Sequence, residues 1–261
     1  MRKILATAAV LATVTTAANA ADMALKAPPA PPPSFDWSGW YVGLNGGYSW
    51  GRASSSVNGT TALPSTFSFS TSTNMDGWLG GGQIGYNWQL EKSWLLGVEA
   101  DIQGTGERGT EYAPTFTIPV LVAPSGSASA SLTQKLPWFG TVRARLGFEP
   151  SDHWLLYATG GLAYGEVDSN ATATTLLAGT SLAASTSVDN TQVGWTAGAG
   201  AEWWLWDRWS AKAEYLYMDL GHVNNTYTFT GLAAGGFATA SISSHVTDNI
   251  FRVGIDYHFS H

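Results

Sequence analysis

Nine ionisable residues are spaced as though for chemistry. Glu99 and Asp101 are two apart, as are Arg143 and Arg145, and Lys212 and Glu214; Glu202, Arg252 and Asp256 complete the set. Paired carboxylates can divide the work of a general acid and a general base. Ser210 and His258 add a hydroxyl and an imidazole, the materials of a nucleophile and its base. The other histidines (His153, His222, His245, His261) are scattered and show no metal-ligand spacing. Gly80-Gly81-Gly82-Gln83-Ile84-Gly85 matches the G-x-G-x-x-G fingerprint formally. It lies inside an alternating segment with no helix following, so the dinucleotide reading fails on context. Glycines in a strand instead let large aromatic neighbours and inward side chains fit.

The elements that hold these residues are read from period-two alternation. In Thr141-Val142-Arg143-Ala144-Arg145-Leu146-Gly147-Phe148 the arginines share one face of a strand and Val142, Ala144, Leu146 and Phe148 share the other. Seven more segments alternate in the same way, starting near Trp40, Trp78, Trp94, Trp154, Val193 and Trp209 and, for the last, covering Phe251 to Phe259. Each is about ten residues or slightly more, the length of a tilted transmembrane β-strand. The connections Glu91–Ser93, Glu149–His153 and Leu205–Arg208 are short. The other four run to about 25 to 30 residues and are rich in Ser, Thr, Ala and Gly. Proline stays out of the strand interiors: Pro137 stands at a start and Pro150 in a turn.

Composition narrows the class. Arg2 and Lys3, the apolar run Ile4 to Val14 and Ala18-Asn19-Ala20 form a secretory signal peptide, so residues 1–20 are expected to be removed. Residues 21–36 (ADMALKAPPAPPPSFD) are proline-rich and are expected to form a periplasmic tether. The chain from 37 to 261 is then one domain. Cysteine is absent, which excludes a disulfide-stapled fold. Loss of the signal moves the net charge from −7 to about −9, and that acidity excludes nucleic acid as a partner. Charged residues make up 12% of the chain, about half the usual share, beside 13 Trp and 30 Gly. Export, low charge and many aromatics describe a chain whose solvent is partly lipid.

Membrane hydrocarbon cannot satisfy an open strand edge, so such strands must close into a barrel. The expected fold is all-β: an eight-stranded antiparallel up-and-down transmembrane β-barrel with short periplasmic turns and long extracellular loops. Its apolar face looks at lipid and its polar face into the lumen. A charge at the lipid-facing midplane costs about 2–4 kcal/mol. Glu99, Asp101, Arg143, Arg145, Glu202, Lys212, Glu214, Arg252 and Asp256 all share the lumen parity; Asp219 breaks it, but near a strand end. Five carboxylates and four bases in a narrow lumen are expected to neutralise each other as a plug across its periplasmic half, with no catalytic role. Pairing is expected between neighbouring strands: Glu99 and Asp101 with Arg143 and Arg145, and Glu202 and Glu214 with Lys212. Trp88, Trp94, Trp154, Trp203, Trp206 and Trp209 gather beside the short turns, and Trp50, Trp78, Trp138 and Trp195 at the opposite strand ends. Two aromatic girdles produce this distribution.

The last segment, Arg252-Val253-Gly254-Ile255-Asp256-Tyr257-His258-Phe259, has the form of an insertion signal, carried by Gly254, Tyr257 and Phe259, with the usual terminal Phe displaced by Ser260 and His261. Together with Trp37-Ser38-Gly39-Trp40-Tyr41-Val42-Gly43-Leu44-Asn45-Gly46-Gly47, Gly140 to Gly147 and Ala211 to Tyr217, it makes the mature chain resemble the porin-like outer-membrane β-barrel family. That family includes the outer-membrane immunogenic and opacity-type proteins. The resemblance implies a barrel similar to the OmpA transmembrane domain, placed in the cell outer membrane. It does not fix an activity. A structural and surface-display role with a plugged lumen is expected. The alternatives are a narrow small-solute porin and an adhesin whose loops Thr115 to Ile118 and Thr226 to Thr230 alternate as if strands continued above the membrane. The expected partners are outer-membrane lipids and the outer-membrane assembly machinery, with a host or surface ligand of unknown kind as a candidate; no cofactor and no metal is expected.

Overall fold

The computed structural model describes residues 36–61, 66–91, 93–112, 116–118, 126–177, 180–230 and 237–259. Apart from Asp36, the expected signal peptide and tether lie outside the described residues. Nine strands follow one another: β1 (Gly39–Thr61), β2 (Thr66–Glu91), β3 (Trp94–Tyr112), β4 (Phe116–Ile118), β5 (Gly126–Ser151), β6 (Trp154–Leu177), β7 (Thr180–Trp206), β8 (Trp209–Thr230) and β9 (Phe237–His258). Apart from β3 and β4, every neighbour in the chain is an antiparallel neighbour in space, and pairing of β3 with β5 and of β1 with β9 closes the ring. The short β4 lies along β5 where β3 leaves off, so eight strands make the wall. The chain is an eight-stranded, all-antiparallel, up-and-down barrel.

The alternation read from the sequence is met by side-chain burial. Leu44, Val98, Val142, Leu162 and Val253 look outward and are 46–67% exposed, while the opposite parity is buried. The two-residue turn after β7 places Asp207 at φ 48°, a left-handed position that Asp tolerates in tight hairpin turns.

The strands are longer than the ten or so residues expected. The eight wall strands run from 19 to 27 residues, because most of what the sequence presents as long connections continues as strand. In β7, residues 180–194 lie beyond Trp195, a contour of about 50 Å. The wall therefore continues well past the outer tryptophans. Near the outer tryptophans β3 slips against β5 between Gly104 and Glu107, and two further strands slip by one residue. A bulge in β5 falls between Lys135 and Trp138, and a bulge in β8 falls between Asp219 and Gly221. Gly221, at φ 72°, supplies the left-handed residue that the second bulge needs.

Candidate functional site

Each of the nine ionisable residues reaches the lumen and is at most 4% exposed. The closed ring places them. Glu99 stands directly across from Arg143 on the β3–β5 ladder, and Glu202 across from Lys212 on the β7–β8 ladder. The partners, however, are chosen across the lumen as much as along the ladder. Arg143 donates to Glu99, to Asp101 at 3.0 Å and to Glu214 on the far wall at 2.9 Å. Arg252 donates to Asp101 at 3.0 Å and through Nε to Glu214 at 2.7 Å. Lys212 passes over its ladder partner and donates to Glu99 at 3.0 Å, with Asp256 at 3.7 Å. Glu202 is taken instead by Arg145. The expected exchange within neighbouring strands thus holds for β3 with β5 but not for β7 with β8. In an eight-stranded barrel the opposite wall is within side-chain reach.

Aromatic and polar groups complete the belt. Tyr41 donates to Glu99 at 2.7 Å, Thr141 to Asp101 at 2.7 Å, and the Arg145 guanidinium lies 3.7 Å from the centre of the Tyr157 ring. Such stacking suits a desolvated guanidinium. Glycine makes room here: a Cβ on Gly85 would sit 2.3 Å from the Tyr41 ring, and one on Gly43 would strike Asp256. Within the glycine run, Gly81 is likewise confined by Gln103, while a Cβ on Gly80 or Gly82 would meet only ordinary van der Waals contacts.

Ser210, His258 and Glu202 do come together. Ser210 Oγ is 3.1 Å from His258 Nε2, and Glu202 Oε1 is also 3.1 Å from that same nitrogen. A nucleophile–base relay needs the hydroxyl and the carboxylate on different ring nitrogens. All three residues are fully buried, so the cluster is closed to a substrate.

Three apolar layers that the sequence reading missed also fill the lumen. Trp37, Leu95, Leu155 and Tyr157 cluster below the belt, and Asn87 donates to the Trp37 carbonyl at 3.1 Å. Above the belt, Leu79, Leu136, Phe139, Leu216, Met218 and Ile250 are among the buried residues of a larger cluster. Higher still, Val57, Leu132, Tyr227 and Ile242 form another. The available signal was the lumen-parity walk from Glu214 to Leu216 and Met218, and from Arg252 to Ile250. Beside these layers lie carboxyls the sequence did not single out. Glu107 accepts from Ser49 at 2.9 Å and faces Asp248. Glu107 lies level with the outer tryptophans, one rung inside Trp50. Glu111, farther out, is pushed up to about 7 by burial.

The tryptophans face outward in two sets. Trp88, Trp94, Trp154, Trp203, Trp206 and Trp209 are 37–63% exposed near the turns, with Trp154 and Trp203 stacked at 5.3 Å. Trp50, Trp78 and Trp195 are exposed at the other level, and Trp138 beside them donates to Glu166 at 2.7 Å. At the closing strand, Gly254 is confined by Leu44 and Asn45, Tyr257 meets Trp209 edge to face at 5.1 Å, and Phe259 is 53% exposed.

A family model described as outer membrane protein beta-barrel domain matches residues 6–259. The chain belongs to this outer-membrane β-barrel family. It is 35% identical to a 31 kDa outer-membrane immunogenic protein of Brucella melitensis, over 87% of this chain and 85% of the relative. It is 27% identical to a 25 kDa outer-membrane immunogenic protein of the same organism, over 87% and 81%. Among solved structures it is similar to the outer membrane protease OmpT of Escherichia coli, with 12% identity, a TM-score of 0.46, and 87% and 99% of the two chains covered. The outer membrane is therefore where this barrel resides.

Proposed function

We propose that this outer-membrane barrel is a non-enzymatic structural protein that displays a rigid wall at the cell surface and passes no solute. One observation carries the reading: four cationic side chains span the lumen, each ion-paired and at most 3% exposed. A solute path would have to break these pairs, and each broken buried pair costs about 3–5 kcal/mol. The apolar layers above and below the belt support the same reading. A narrow porin is the rival. Refolded protein in a planar bilayer should give no stable single-channel steps; reproducible steps of one size would overturn the closed lumen.

Surface display through an adhesive tip is favoured by the strand extension. Thr226 to Thr230 lies in β8 and pairs with Phe237 to Ser241 on β9, so this expected loop is a firm ladder. Of the other expected segment, 116–118 forms β4 and Thr115 lies outside the described residues. Shortening β8 and β9 above Gly221 should abolish surface binding where such binding exists and leave heat-modifiable gel migration intact. Gly254, Tyr257 and Phe259 fit a role as the signal for the assembly machinery. Phe259→Ala should then slow insertion into membranes that contain the machinery and leave refolding in detergent unchanged.

A further inference from the structure

Two of the histidines that are scattered in the sequence are brought together by the barrel. His222 of β8 and His245 of β9 stand directly across from each other on the ladder. Both side chains point outward, with His222 exposed and the His245 side chain 39% exposed. Their rings are stacked 4.6 Å apart and within 3° of parallel. The pair lies just beyond the outer tryptophans, since Asp219 on the same strand pairs with Trp195. Packing between neighbouring strands accounts for two rings side by side. It does not account for a carboxylate aimed at one of them.

The bulge in β8 supplies that carboxylate. Asp219 takes its odd parity at the slip, where its Oδ1 accepts from the Gly221 amide at 2.8 Å. The same oxygen is 3.0 Å from His245 Nε2. An ionised carboxylate only accepts, so Nε2 carries the ring proton and the lone pair of the neutral imidazole lies on Nδ1. This is the arrangement of a metal-ligating histidine, whose second nitrogen donates to a carboxylate that fixes tautomer and ring orientation. His222 offers a second imidazole beside the first. Zinc holds a nitrogen at about 2.0–2.1 Å, so two nitrogens on one ion stand about 3.3 Å apart at a tetrahedral angle. Rings already 4.6 Å apart can converge by turning about χ2, a broad torsion in histidine. Imidazole donors suit zinc, copper and nickel, whereas calcium and magnesium take oxygen.

We propose that His222 and His245 form a site for a divalent transition-metal ion on the outer face of the wall, with Asp219 as the positioning residue for His245. The ion takes a nitrogen from each ring and leaves its other positions to water. It ties β8 to β9 at the height where the bulge interrupts their ladder. The group of Glu166, Asp168 and Asp189 on β6 and β7 offers oxygen alone and is the competing place for a cation.

The test uses the full mature chain without a histidine tag, refolded in detergent and titrated with zinc against a chromophoric chelator. The wild type should bind a single zinc per chain. H222Q/H245Q should bind none at the same concentrations. D219N should bind about 10–100-fold more weakly. The copper-loaded wild type should show two nitrogen ligands by electron paramagnetic resonance, D219N should keep both, and H222Q should show one. H153Q, at a periplasmic turn, and D168N/D189N should match the wild type. Excess calcium should displace no zinc. Heat-modifiable migration identifies folded samples of each variant, and the exposed substitutions should all pass. Undiminished zinc binding by H222Q/H245Q would overturn the proposal. Loss of zinc in D168N/D189N, or its displacement by calcium, would overturn it too and move the ion to the acidic group. Equal affinity of D219N and wild type would overturn the positioning role of Asp219.

Discussion

Arg143 shows how much one residue holds. Its guanidinium serves three carboxylates on two other strands, Glu99 and Asp101 of β3 and Glu214 of β8. Arg143→Ala removes that shared donor and should cost about 3–5 kcal/mol, seen as a lower urea midpoint for the barrel in micelles. Arg52→Ala, exposed at the rim, should shift the same midpoint by no more than about 0.5 kcal/mol. Glu111 supplies a pH signature. Its folded value of about 7 stands above the ordinary 4.5 because the carboxyl is buried in the upper lumen. Between those two values the folded chain holds a proton that the unfolded chain has released. Stability therefore falls as pH rises through that window and levels off above it. In Glu111→Gln, thermal unfolding in detergent should lose this part of the pH dependence.

The elements carry a reversal at the outer tryptophans. Below that level the outer face is apolar; above it the outer face is Ser-, Thr- and Asn-rich, while apolar clusters fill much of the inside. Val253→Arg, outward and 53% exposed within the membrane zone, should cost about 2–4 kcal/mol or prevent insertion. Ser54→Arg, also outward but above that level, should be nearly silent. Met218→Asp, by contrast, places a charge in the upper apolar layer and should destabilise the outer half, read as faster amide exchange in β8 and β9. The membrane zone was legible in the sequence because Leu, Val and Trp alternate there with Glu, Arg and Gly, a contrast too strong to miss. The upper strands were not. Their alternation is among Ser, Thr, Ala and Gly, whose polarities differ little. The bulges in β5 and β8 also shift the inward parity, from Phe139 to Leu136 and from Leu220 to Val223. Asp219, which breaks the parity in sequence, sits at that second slip, where it accepts from the Gly221 amide at 2.8 Å.

At the scale of the molecule, sequence gave the neighbours of each strand but not the residues facing it across the lumen. Glu99 with Arg143 could be matched by depth on adjacent strands. Arg143 with Glu214, or Lys212 with Glu99, depends on the barrel's width and on which side chains cross it, and no local spacing encodes that. The same holds for Trp37, which reads as the start of a strand motif and instead packs beneath the belt. The ring has one seam that joins distant parts of the chain, where Tyr41 pairs with His258 and Thr61 with Ala238. The strand that completes the cylinder is therefore the last to be synthesised. Until it arrives, both β1 and β8 have a bare edge that lipid cannot satisfy. A polypeptide halted before residue 237 has no shorter cylinder to fall back on. Its fate in the periplasm should be proteolysis, measurable as absence of any truncated form from the membrane fraction, so the cell's quality control can act on this protein by waiting for its final strand.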